Sequence, residues 1–202
     1  SSWRNIAGGR PNFSVPELSD IARHNHEMFR ELQKMGETNY REIKYVTFAH
    51  DDTMLRQLEA SLAWTDGEMV MPADYAEKIA PGINPDLKKR YQAALLTNDC
   101  WQATPGKVID LIRHLGVMAG GSVEEDSTVT AVSRNGKDYS VTVQNHKGEY
   151  VEYITPVFVN AMGAHGEEFA RSLGIFTGTY GVRHQAFITR RLPMMGPNNT
   201  PL

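Results

Sequence analysis

Two stretches of this sequence combine residue types that could hold a ligand. The first is Ala7-Gly8-Gly9, flanked by Arg4 and Arg10. Three residues with almost no side chain let a flat ligand approach the backbone closely. The same run also fits a plain N-terminal coil. The second stretch is residues 154–174, ITPVFVNAMGAHGEEFARSLG. Val157-Phe158-Val159 reads as a short buried strand. Asn160-Ala161-Met162-Gly163-Ala164 offers small residues for a sharp turn. A helix is expected from about His165 to Leu173, with Gly174 as its cap. A strand that passes through such a turn into a helix N-terminus makes a site for anionic or nucleotide groups, because the first-turn N–H groups point at the ligand. Without a ligand, the pattern is one more strand–helix unit of an α/β core.

Other reactive residue types read as structural. His24 and His26 lie two apart in an expected helix and so do not share a face, which argues against a metal pair and for solvated positions. No metal site is expected. Cys100 has no identifiable base and reads as a buried or tolerated thiol. Asp51-Asp52 suits a helix N-terminus better than catalysis. No GxGxxG, P-loop, HExxH, GxSxG or CxxC pattern occurs. The formal charge of -3 over 202 residues gives no sign of a nucleic-acid or membrane surface, and no apolar run approaches the ~20 residues of a membrane span. A single cysteine rules out an internal disulfide and fits a reducing compartment such as the cytoplasm. The chain starts on Ser1 and ends in a loop-like run, so both ends read as cut from a longer protein.

The elements that must position these residues follow from periodicity. Ser14-Val15-Pro16-Glu17 reads as a capping box with Ser14 at the N-cap. Leu18, Ile21, Ala22, Phe29, Leu32 and Met35 then recur at helical spacing up to Gly36. Residues 42–49 alternate as a strand. A helix is expected from Asp51-Asp52 to about Trp64, a short strand at 69–71 and a small helix at 73–80. Residues 91–96 read as a strand and 97–103 as a polar link. Thr104 and Pro105 open a helix that Gly116 should stop. From Ser127 the period changes to two: strands at 129–132, 139–143 and 150–152, with a tight turn at Asn135-Gly136. A last strand is expected at 181–189.

The order of these parts, with Ala-Gly-Gly-Arg-Pro near the N-terminus and Asn160-Ala161-Met162-Gly163 after the meander, resembles the flavin-dependent oxidoreductases of the D-amino-acid oxidase/sarcosine oxidase family. Three places carry the resemblance. Residues 1–13, SSWRNIAGGRPNF, are similar to the β subunit of heterotetrameric sarcosine oxidases. Thr104 to Gly116 with Val129-Thr130-Ala131-Val132 resembles the family's helix and adenine-touching strand. Val159 to Ala164 is the third. The resemblance implies a mixed α/β (α+β) fold: a Rossmann-like FAD-binding portion with a β-meander, plus a substrate domain of mixed sheet and helices. It divides the chain into a flavin-contacting segment and helix at 1–36, a substrate-domain portion at 37–100, an FAD-binding portion at 101–174, and a return into the substrate domain at 175–202. The family's dinucleotide fingerprint would lie before Ser1.

The implied cofactor is FAD. Ser1 and Ser2 would face its pyrophosphate, and Ala7, Gly8 and Gly9 would back the flavin ring with Arg4 and Asn5 in the same segment. The Val129 backbone would touch the adenine, and Ala161 and Gly163 the nucleotide moiety. Arg10 is the candidate for a substrate carboxylate, which a guanidinium fork matches bidentately. The implied activity is oxidation of an amine or amino acid at its C–N bond, with a small-molecule substrate and no nucleic-acid or membrane partner. The likeness to a heterotetramer subunit leaves oligomeric or heteromeric assembly open. Two rival readings are a non-catalytic binding module descended from such an enzyme and an FAD-dependent 2-hydroxy-acid dehydrogenase. No catalytic residue is assigned.

Overall fold

The computed structural model describes residues 7–182, which form two compact units, 7–118 and 119–182. Both are built on antiparallel sheets flanked by helices. Residues 100 and 101 both lie inside one strand, and the two compact units part after residue 118.

That strand, β4 (Ala93–Gln102), is the centre of the first sheet. Along one edge it pairs with β2 (Arg41–Ala49). The other edge is shared by β1 (Gly8–Gly9), opposite Gln102 and Trp101, and β3 (Gly67–Val70), opposite residues 94–97. The polar link expected from Thr97 onward is therefore a continuation of the strand as far as Gln102. Partners on both sides satisfy its backbone groups, and this outweighs the weak strand propensity of Asn98 and Asp99. The continuation is bulged. Ile43 faces Cys100 and Tyr45 faces Thr97, so Asn98 and Asp99 together oppose Lys44, and Asp99 takes φ 48°. Ala94 and Leu96 pack with Val70 and Tyr75 on one face, while Leu95 packs with Ala49 and Leu58 on the other. Burial on both faces accounts for the unbroken apolar run Ala93-Ala94-Leu95-Leu96.

α1 (Pro16–Met35) starts one residue later than a Ser14 cap would have it. Val15 precedes a proline and is held extended, so it becomes the N-cap, and its carbonyl receives the N–H groups of Leu18 and Ser19. α2 (Asp52–Ser61) is capped by the Asp51 carboxylate, which accepts from Met54 N–H at 2.8 Å, and it ends short of Trp64. A 3-10 turn at Pro72–Asp74 leads into the short α3 (Tyr75–Lys78), and α4 (Leu87–Arg90) precedes β4. α5 (Pro105–Met118) runs through Gly116. Glycine only weakens a helix interior, and the chain leaves the helix near Gly120, at φ 91°.

In the second unit β5 (Thr128–Asn135), β6 (Asp138–Gln144) and β7 (Tyr150–Thr155) form the expected meander. The first hairpin turns on Gly136 and Lys137, one residue beyond the expected pair. Only Gly136 has a positive φ, 62°, as a glycine-first turn requires. Val132, Val141 and Val143 form the core, with Phe158, Phe169 and Leu173 against it. The strand expected at 157–159 does not form. β7 ends at Thr155, and Val157 and Val159 are exposed. An apolar run becomes a strand only where a neighbour offers backbone partners, and none lies along it among the described residues. A 3-10 turn at Gly163–His165 then leads into α6 (Gly166–Ser172), and Gly174 closes it at φ 74°, as expected. The strand expected at 181–189 lies largely outside the described residues.

Candidate functional site

The first unit places an aromatic and polar cluster beside a small apolar cavity. α1 turns Ser19, Ala22 and His26 inward, whereas Leu18, Ile21 and Met35, expected on the buried stripe, are about half exposed. His26 was expected in solvent and is instead 1% exposed. Its Nε2 lies 2.7 Å from the Tyr40 hydroxyl. Its Nδ1 lies 2.7 Å from the Asp99 carboxylate, off the line of a good hydrogen bond. Its ring stacks on the Trp101 indole, with centres 4.5 Å apart and planes 10° apart. The bulge in β4 brings the Asp99 carboxylate to this position. Arg30 closes the outer side, donating to Glu42 at 2.8 Å and 3.1 Å and lying 3.4 Å from Asp99. The Arg30 hydrogen bonds hold the Glu42 carboxyl below its ordinary range, and burial pushes the Tyr40 phenol up.

Trp101 also meets Gly9, its cross-strand partner. A β-carbon on Gly9 would stand 2.1 Å from Trp101 Cε2, so the indole fills the space that a side chain would need. Beside this pair lies a cavity of about 290 Å3 lined by Ala7, Gly8, Gly9, Trp101, Ala103 and Val108, among others. Ala7 bends into the left-handed region at φ 70°, and its carbonyl accepts the Ala103 N–H at 3.1 Å.

Arg10 follows directly on β1. Its Nη1 donates to the backbone and side-chain oxygens of Asn12, both at 2.7 Å. Its guanidinium carbon lies 5.2 Å from the Phe13 ring centre and 5.1 Å from that of Tyr45. Asn12 is buried and donates to Thr47 Oγ1 at 3.1 Å. The guanidinium plane is thus held by protein contacts, and no carboxylate among the described residues pairs with it. A second cavity, of about 240 Å3, opens beside it between Phe13, Thr47, Met54 and Leu58. A fixed guanidinium with donors to spare suits a carboxylate. Cys100 is fully buried with Sγ 3.8 Å from the Thr97 carbonyl. Burial, then the Asp99 charge, pushes its pKa up to about 12, so at neutral pH it is a thiol and no nucleophile.

The other expected contacts are spread out. Ser1, Ser2, Arg4 and Asn5 lie outside the described residues. Val129 is half-buried against the meander core, Ala161 is exposed, and Gly163 opens a 3-10 turn at φ 59°; all three belong to the second unit. Sequence reasoning missed His26, Asp99 and Trp101. One signal was available: His26 lies four residues after Ala22 and three before Phe29, the spacing of one helix face. Trp101 and Asp99 carry no comparable local signal.

The family model described as FAD dependent oxidoreductase matches residues 1–201. A search of curated proteins finds no match. Among solved structures, L-proline dehydrogenase from P. horikoshii aligns with a TM-score of 0.71 over 87% of this chain and 46% of its own, at 16% identity. Glycine oxidase from Geobacillus kaustophilus aligns at 0.67 over 86% and 48%, with 12% identity. L-alpha-glycerophosphate oxidase from Mycoplasma pneumoniae, with FAD bound, aligns at 0.62 over 84% and 46%, with 15% identity. The chain spans less than half the length of each, and at these identities the likeness is one of fold.

Proposed function

The chain belongs to the family of FAD-dependent oxidoreductases, and from that premise we propose that it is part of an enzyme oxidising the C–N bond of an amine or amino acid. The cavity at Gly8 and Gly9 fits the flavin ring in kind. It has a backbone floor, an indole wall and apolar lining, and its volume of about 290 Å3 suits a flat ring system rather than a whole dinucleotide. FAD, when bound, supplies a two-electron acceptor that takes a hydride from the carbon beside the substrate nitrogen, leaving an imine that water hydrolyses. The chain's own part is to seat and orient. Ala7, Gly8 and Gly9 would back the ring, and Trp101 would shield it from water on that side. Arg10 would grip the substrate carboxylate and so set which carbon faces the ring. In the same reading Ser1, Ser2, Arg4 and Asn5 continue the flavin-contacting segment, while Val129, Ala161 and Gly163 serve the nucleotide end. The chain works with a small molecule in a reducing compartment, and assembly with other chains belongs to the same proposal. Residues 37–100 would serve the substrate side and 101–174 the flavin side.

The observation that carries this reading is Arg10, fixed in plane by Asn12, Phe13 and Tyr45 with no acidic partner among the described residues, one residue from the glycines. The test is anaerobic bleaching of the flavin bands in the complete, FAD-loaded protein with carboxylated amines, in wild type and Arg10→Met. Losing a desolvated bidentate contact costs roughly 2–4 kcal/mol, so KM should rise by one to three orders of magnitude with flavin content unchanged. Unchanged kinetics would remove Arg10 from the substrate site. Bleaching by 2-hydroxy acids and not by amines would move the chemistry to a C–O bond on the same scaffold.

A further inference from the structure

Together with Phe29, Trp101 walls the glycine cavity. Its backbone lies near the end of β4, and Gly9 offers no side chain to stop the indole. Against the ring lie His26, stacked at 4.5 Å and 10°, and Phe29, tilted at 5.8 Å and 46°. A phenylalanine would stack as well but could turn about its own axis. An imidazole has two polar corners, and here Nε2 is bonded to Tyr40 at 2.7 Å while Nδ1 stands 2.7 Å from the Asp99 carboxylate. Tyr40 in turn donates to Glu42, and Arg30 joins Glu42 to Asp99, so α1, β2 and β4 all contribute to the clamp. Two features of this arrangement are costly. Burying a titratable ring whose Nδ1 lacks a well-aligned hydrogen bond opposes folding. Asp99 also stands at φ 48°, where a residue with a side chain is strained. An apolar residue at position 26 would remove the first of these burdens, and stability alone does not account for the buried imidazole.

We propose that His26 is a positioning residue: clamped by Tyr40 and Asp99, it fixes the plane of Trp101 and so keeps the Gly8–Gly9 cavity open to a flat heteroaromatic ring. The inference rests on the reading of that cavity as the flavin-ring site only for the identity of the ring. The fixing of Trp101 by His26 stands apart from it.

The experiment labels the full chain with 5-fluorotryptophan and records fluorine NMR spectra. Three tryptophans are present, and Trp101→Phe assigns the relevant resonance. In the wild type, Trp101 should give one narrow line. His26→Phe, which keeps the stack and removes the clamp, should broaden or split that line while the far-UV circular dichroism and the other two lines stay unchanged. Asp99→Asn, which keeps the shape and removes the charge, should do so in smaller degree. Narrow, unmoved Trp101 lines in both variants would overturn the proposal, and should His26→Phe fail to fold, Asp99→Asn alone decides. The second arm adds lumiflavin, the bare isoalloxazine ring. It should shift the Trp101 line of the wild type, and the lumiflavin dissociation constant should be about tenfold higher in His26→Phe, because the wall is no longer pre-organised. Lumiflavin that binds both proteins equally while moving Trp101 would sink the ring-holding role of His26. Lumiflavin that leaves the wild-type Trp101 line in place would instead refute the cavity assignment, with the first arm still deciding the clamp.

Discussion

β4 and β7 both belong to antiparallel sheets, yet different things close over them. β4 has partners on both edges and side chains packed on both faces: Leu95 is 0% and Leu96 2% exposed. β7 pairs on one edge, with β6, and Tyr150 and Ile154 remain 67% and 56% exposed. The first unit therefore carries its own two-layered core. The second rests on three valines under α6, each still 6–9% exposed, and shows apolar groups along a strand with no outer partner among the described residues. Such an edge invites pairing or covering. The candidate cavity and the Arg10 site lie in the self-contained unit, where rigid elements hold them.

The largest losses are expected from truncations in the two cores. Leu95→Ala should cost about 2–5 kcal/mol in urea titrations. Val141→Ala should cost less, about 1.5 kcal/mol at roughly 0.8 kcal/mol per methylene. A meander variant as damaging as the β4 variant would reverse the ranking.

Next in size, Gly9→Ala forces a β-carbon into the indole, and overpacking of this kind costs about 1–3 kcal/mol. A change in urea midpoint too small to measure would mean that Trp101 yields easily, and that the first unit is less rigid than its burial suggests.

Gly136→Ala comes third, at about 1 kcal/mol for a left-handed residue that gains a side chain. Hydrogen exchange should localise the loss: faster exchange in β5, β6 and β7, none in β4. Equal acceleration in β4 would show that the two units unfold together.

At neutral pH the smallest change is expected at Cys100, whose effect appears only in alkali. Cys100 has its pKa raised from 9.0 to about 12 by burial. Between those values the unfolded thiol has lost its proton and the folded one has not. Its contribution to stability is therefore complete below pH 9 and is lost as pH rises toward 12. Cys100→Ala should flatten the alkaline limb of the stability curve and leave the neutral plateau's slope unchanged. Identical alkaline slopes would mean that the thiol is less enclosed than β4 implies.

The legible parts were those with local causes. The meander was readable because alternation and a glycine turn act over a few residues. The Asp51 cap and the Gly174 stop were readable because helix ends are satisfied by adjacent groups. The illegible parts depended on partners distant in sequence. Thr97 to Gln102 looks like a polar link until β2 and β1 supply its hydrogen bonds, and Val157 to Val159 looks like a strand until no such partner is found. The candidate site divides in the same way. Gly8, Gly9 and Arg10 stood out by residue type, whereas His26 was read as solvated because none of its partners is local.

By itself, then, the sequence determined the mixed α/β character, the presence of the main helices and of the meander, and the small-residue segment beside Arg10, all of which follow from spacing and side-chain chemistry along the chain; the family came from resemblance. Only the tertiary structure decided that α1 buries its Ser19, Ala22 and His26 face, that a bulge swings Asp99 toward His26, and that Trp101 folds over Gly9 to wall a cavity. The physical reason is that burial is a property of the assembled surfaces. A histidine is kept out of water only when a tyrosine, a carboxylate and an indole from other elements arrive together to replace its solvent.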